Sequence, residues 1–101
     1  MVQLHSKKLI TVITESILEN KIIEEFRSKG IKGFTIMEAR GHGESGDRDA
    51  NLDADKNIRI EAICEENKAH GLLEQLEEKY YKNYAMVAFL SSVEVLRNEK
   101  F

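Results

Sequence analysis

The run Lys8-Leu9-Ile10-Thr11-Val12-Ile13-Thr14 constrains the fold more than any other stretch. It is short, rich in β-branched residues and apolar at both parities. A central strand covered on both faces has that composition. Ser16 and Glu19 then stand as an S-x-x-E capping box, and Leu18, Ile22, Ile23 and Phe26 recur at helical spacing along one face. Asn20 and Glu24 fall on the opposite side. Gly30 after Lys29 supplies a C-terminal stop with a cation in the last turn. The spacing predicts a helix over Ser16 to Lys29. Gly33 opens a second strand, Phe34 to Arg40, with Phe34 and Ile36 on one face and Thr35, Met37 and Ala39 on the other.

A second strand–helix–strand unit follows a long polar gap. In Asn57 to Cys64, Ile58 and Ile60 alternate with Arg59 and Glu61, the pattern of a half-buried strand with one wet face. A helix starts near Glu66-Asn67, with Ala69, Leu72, Leu73, Leu76 and Tyr80 as its apolar stripe. Gly71 inside it costs roughly 1 kcal/mol relative to Ala and reads as a mark of close packing. Glu74, Glu77, Glu78 and Lys79 form a solvated face, and Asn83 is placed to stop the helix in a left-handed conformation. The long strand Tyr84 to Leu96 and a charged tail, Arg97 to Phe101, complete the pattern. Two right-handed βαβ crossovers give an α+β fold: a ferredoxin-like βαββαβ four-stranded antiparallel sheet with two helices on one face. The other face has no helix, yet the first and last strands are apolar on both sides. A closed oligomer with the open faces turned inward is the expectation.

With 101 residues the chain reads as a single domain, 1–101. Its formal net charge of -3 argues against a general nucleic-acid or acidic-membrane surface. Recognition of RNA on such a sheet also needs aromatics on the central strands, and Leu9 to Thr14 has none. No apolar stretch is long enough for membrane insertion, and Met1 to Lys8 lacks a signal-peptide core, so a cytoplasmic location is expected. The one cysteine, Cys64, lies in an apolar run and reads as a buried, inert thiol. His5, His42 and His70 show no metal-ligand spacing.

The gap itself, Arg40 to Lys56, holds three glycines, five acids and three bases. Loops this long are either functional or solvated connectors. Gly41-x-Gly43 directly follows a strand, where glycines suit the positive-φ turns of an anion nest. Arg40, Arg48 and Arg59 lie in or beside the loop, and Arg97 and Lys100 near the end of the chain, as partners for an anionic ligand. Glu61, on the wet strand face two residues from Arg59, is either in an ordinary cross-strand ion pair or part of a site. Asp47-x-Asp49-x-Asn51 begins like an EF-hand loop, but Leu52 stands at the glycine position and Ile58 at the closing glutamate. No metal site is expected. Ser45 and His42 do not make a nucleophile–base–orienter set. The alternative from another class is a small phosphohydrolase using His42 and the loop arginines.

Gly30-Ile31-Lys32-Gly33-Phe34-Thr35 leading into Gly41-His42-Gly43 resembles the PII signalling superfamily. Asn57-Ile58-Arg59-Ile60-Glu61, Lys79-Tyr80-Tyr81-Lys82-Asn83-Tyr84-Ala85, Val93-Glu94-Val95-Leu96-Arg97 and the closing Glu99-Lys100-Phe101 look like its inorganic-carbon branch. That branch includes regulators of bicarbonate transporters and carboxysome-associated proteins. The resemblance implies a homotrimer with a flexible T-loop, here about 42–56. It implies adenine-nucleotide binding in clefts between subunits, and a loop whose ligand-set conformation meets a transporter or carboxysome-related protein target. Carried over by position, Thr35, Gly41, Gly43 and Glu61 fall at the cleft. Ala85 falls where the last strand meets the adenine, Arg48 reaches phosphate, and Arg97 and Lys100 add charge. The phosphate-binding glycine–lysine loop of archetypal PII proteins is absent before the last strand. ADP or AMP is therefore expected ahead of ATP, with cyclic AMP a further candidate and bicarbonate a second ligand. The loop has no tyrosine for uridylylation. The resemblance implies a regulator, without catalytic residues, cofactor or metal.

Overall fold

A computed structural model describes residues 1–41, 56–98 and 101. Its elements run β1 (His5–Glu15), a 3-10 turn (Ser16–Leu18), α1 (Glu19–Ser28), β2 (Thr35–Ala39), β3 (Asn57–Cys64), α2 (Glu66–Lys79) and β4 (Met86–Val95). The strands form one sheet in the order β2-β3-β1-β4, and every neighbouring pair is antiparallel. This is the ferredoxin-like arrangement that the order of segments predicts.

The core lies between the helices and one sheet face. Ile10 and Val12 of β1 meet Ile58 and Ile60 of β3 under Ile22 and Phe26 of α1 and Leu72 and Leu76 of α2, all buried. The alternation along β3 is realised residue by residue, with Ile58, Ile60, Ala62 and Cys64 buried and their neighbours half-buried. Burial pushes the Cys64 thiol up from its usual range, as expected of an inert core cysteine. On β4, Met86, Ala88 and Leu90 pack against the same core, while Val87 and Phe89 point away from it.

β1 is longer at both ends than the apolar run that nucleates it. Its pairing with β4 continues from Thr14↔Met86 to His5↔Val95 and draws the polar residues His5, Ser6 and Lys7 into the ladder. Lys7 is buried there. Its ammonium donates to the Glu65 carboxylate and, at 2.6 Å, to Asn98 Oδ1. A buried ammonium needs such partners.

Three local expectations are corrected. Ser16 does not cap α1: it lies within the 3-10 turn, and no side chain caps either that turn or the helix that follows. Asn83 is not left-handed. The chain leaves α2 through bonds from the Asn83 and Tyr84 amides to the Tyr80 carbonyl, and no non-glycine residue among those described has a positive φ. Gly71 is not a point of close packing. A Cβ there would meet only the Lys29 side chain, 3.8 Å away at the nearest. Gly30 does terminate α1. At φ 79° it lets its own amide bond the Arg27 carbonyl and the Ile31 amide bond the Phe26 carbonyl. This is a Schellman closure, with Ile31 and Phe26 both buried as its apolar clasp.

Candidate functional site

Period-two alternation places Thr35, Arg59, Glu61 and Thr11 on the sheet face that carries no helix. Thr35 pairs with Glu61 across β2 and β3, and Glu61 pairs with Thr11 across β3 and β1. The Thr11 hydroxyl, fully buried, donates to Glu61 Oε2 at 3.2 Å. Arg59 donates to the same oxygen from Nε at 3.0 Å and from Nη2 at 2.6 Å. The carboxylate is thus fixed by three donors, yet its side chain keeps 22% of its surface exposed. The ion pair read from the sequence is real, but it runs along one strand and a threonine of the next strand completes it.

A cavity of about 770 Å³ opens beside this cluster, lined by Leu9, Ile31, Phe34, Thr35, Glu61 and Ile63 among others. Its volume is in the range of small-molecule sites, and its makeup, an apolar bowl with a few fixed polar groups, is the usual one. The turn from Gly30 to Phe34 forms one wall, so the Schellman stop of α1 also shapes the site. Phe34 is held by an edge contact with Phe26, ring centroids 5.9 Å apart, and by the Arg27 guanidinium 5.7 Å from its ring centre. Lys68 and Phe101 line the same cavity, and sequence reasoning gave neither a role.

The remaining site candidates are spread over the sheet. Gly41 follows the end of β2, without a positive φ and with open space where a Cβ would stand. It therefore does not form the left-handed half of an anion nest. Lys56 returns the chain at the same end of the sheet, where its carbonyl accepts from the Ser16 amide at 2.9 Å. Ala85 lies at that end too. Its N–H donates to the Glu15 carboxylate at 2.7 Å and its carbonyl accepts from the Thr14 hydroxyl at 2.7 Å. The sheet order puts β2 and β4 on opposite edges, so Gly41 and Ala85 stand about 14 Å apart across three strand spacings. Arg97 is exposed beyond the far end of β4, which pairs with β1 at His5 rather than at Thr14. One chain therefore gathers Thr35 with Glu61 but leaves Gly41, Ala85 and Arg97 apart. His42, Gly43, Ser45, Arg48 and Lys100 lie outside the described residues.

Among the described residues no group of three or more His, Cys, Asp or Glu is placed to hold a metal ion. No helix among them is long and apolar enough to cross a membrane.

The sheet order, the helices on one face and the long connection between β2 and β3 are those of PII-like signalling proteins, a class whose characteristic assembly is a trimer. The model of the nitrogen regulatory protein P-II family matches residues 7–100, and the chain belongs to that family. Among solved structures it is similar to a PII-like signalling protein of Thermus thermophilus, at 40% identity over 99% of both chains with a TM-score of 0.83. It is also similar to CPII of Thiomonas intermedia bound to ADP and bicarbonate, at 26% identity over 96% of this chain and 95% of that one, TM-score 0.82. A further structure of CPII, bound to ADP, AMP and bicarbonate, shares the fold at 24% identity over 96% and 94% of the two chains, TM-score 0.82.

Proposed function

We propose that this chain is a trimeric sensor of adenine nucleotides, with ADP or AMP as its principal ligand and bicarbonate as a second. The observation that carries the reading is the pairing of Thr35 with the fixed Glu61 carboxylate at the mouth of a nucleotide-sized cavity. An exocyclic amine on a purine is a donor, and Glu61 Oε1 accepts no bond among the described residues. Similarity to CPII, which binds ADP and bicarbonate, supports both ligands. Separation of Gly41 and Ala85 on opposite sheet edges fits a cleft completed by a neighbouring copy: the β2 end of one subunit meets the β4 entry of the next. On this reading Gly43, Arg48, Arg97 and Lys100 supply the anion-facing groups. The T-loop, about 42–56, meets a protein target linked to bicarbonate transport or the carboxysome. The protein acts in the cytoplasm as a regulator of inorganic-carbon metabolism, not as an enzyme.

Calorimetric titration with ATP, ADP, AMP and cyclic AMP, with and without bicarbonate, tests this. Saturable binding of ADP or AMP is expected, with the nucleotide recovered intact after prolonged incubation. Absence of binding by all four at millimolar concentration sinks the sensor reading. Hydrolysis that disappears in His42→Ala would replace it with an enzyme.

A further inference from the structure

Beyond β4, Asn98 and Phe101 are both held by side chains of other elements. Lys7, buried at the start of β1, holds Asn98 Oδ1 at 2.6 Å. The Phe101 amide turns back to the Asn98 carbonyl at 3.5 Å. Lys68, on the first turn of α2, reaches the Phe101 carbonyl at 3.3 Å and the Gly30 carbonyl at 3.4 Å with the same ammonium. Two lysines from separate elements thus hold Asn98 and Phe101, and Lys68 and Phe101 both form part of the wall of the 770 Å³ cavity. The cavity keeps that volume with Phe101 in place, so the residue bounds the space rather than filling it.

We propose that Phe101 is a specificity-determining residue of this cavity, the wall against which the aromatic base of the ligand stacks. The inference rests on the nucleotide reading above and adds to it the group that distinguishes a base from a bare phosphate. Leu9, Ile31, Phe34 and Ile63 line the same cavity, so a flat ring entering beside Glu61 meets apolar surface in addition to Phe101. An aromatic side chain there provides face or edge contact that an aliphatic one of similar volume does not.

The experiment uses the full chain and ADP, with inorganic diphosphate as the control lacking a base. Loss of one aromatic–base contact corresponds to about ten-fold weaker binding or more. Phe101→Ala and Phe101→Leu are expected to show that loss by calorimetry, with Phe101→Tyr close to the parent. The chain contains no tryptophan, so Phe101→Trp provides a single fluorophore in the wall. Its emission is expected to quench saturably with ADP and to ignore diphosphate. Three results overturn the proposal: Phe101→Ala binding ADP as tightly as the parent, unmoved emission from the Phe101→Trp variant while calorimetry records binding, or equal quenching by diphosphate. Failure of the parent chain itself to bind any adenine nucleotide is a different result, and removes the sensor reading along with this one.

Discussion

Glu25 lies in the seam between α1 and α2 with 7% of its surface exposed. Burial alone would raise the pKa of its carboxyl. Hydrogen bonds from the Tyr80 hydroxyl at 2.8 Å, from Lys79 at 3.1 Å and from Gln75 outweigh burial and hold it below its ordinary value. Tyr80 responds in the opposite sense: burial, then the hydrogen bond to Glu25 and its negative charge, push the phenol up to about 12. The signs fix where stability is lost. A depressed carboxylate contributes above its ordinary pKa of 4.5 and ceases to contribute as pH falls through the lower folded value. A raised phenol contributes below 10 and ceases to contribute as pH rises toward about 12. The fold is therefore expected to weaken at both extremes, and Glu25→Gln should flatten the acid limb in urea melts taken across pH. Tyr80→Phe removes the buried donor and should cost about 1–3 kcal/mol at neutral pH. Lys79→Ala should cost about 1 kcal/mol or less, because that ammonium is half in water. An unchanged acid limb in Glu25→Gln would contradict this account of the seam.

Two glycines of the helical layer have opposite roles, and only their backbone angles and surroundings separate them. Gly30 holds a φ of 79°, so Gly30→Ala should cost about 1–2 kcal/mol through strain, although the nearest atoms, in Lys68, leave ordinary space. Gly71 is inside α2 with room for a methyl group, so Gly71→Ala should stabilise by about 1 kcal/mol. Chemical denaturation of the two variants checks both signs, and a destabilised Gly71→Ala would restore the close-packing reading. The sequence could place the Gly30 stop because a helical stripe, a cation and a glycine coincide within a few residues. It could place β3 because Ile58 and Ile60 alternate with Arg59 and Glu61 on one strand. It could not show the outer ends of β1, since His5 to Lys7 become strand only by pairing with distant residues, Val93 to Val95. The candidate site divides along the same line. Thr35 and Glu61 sit on strands whose parity is readable. The clamp on Ala85 by Thr14 and Glu15, and the meeting of Lys68 and Phe101 at the cavity, depend on register and on contacts between distant residues that no local pattern encodes.

At the scale of the whole molecule, the uncovered sheet face is the surface still to be explained. Val87 is 56% exposed, Phe89 40% and Met37 38%, while Leu9, Ile13 and Ile63 are half-buried on the same face. A face this apolar on a small chain is an association surface, and the trimer characteristic of the family is the assembly that would cover it. Phe89, on the edge strand β4, pairs with Thr11, which donates to Glu61 one strand further in, so it stands on that apolar face in the same cross-strand row as the fixed carboxylate. Phe89→Asp should bring an unpaired carboxylate from each copy into the interface. Burying such a charge costs on the order of several kcal/mol per copy, enough to dissociate a small trimer. Sedimentation velocity should then show the parent as a trimer and Phe89→Asp as a monomer that keeps its helical and sheet content. Lys21→Glu, a charge change on the exposed side of α1, should remain a trimer. If the cleft is shared between copies, the Phe89→Asp monomer should also lose ADP affinity by about ten-fold or more, although every residue lining the cavity within one chain is retained. A monomeric parent would contradict the association argument. A Phe89→Asp monomer that binds ADP at full strength would place the site within a single chain.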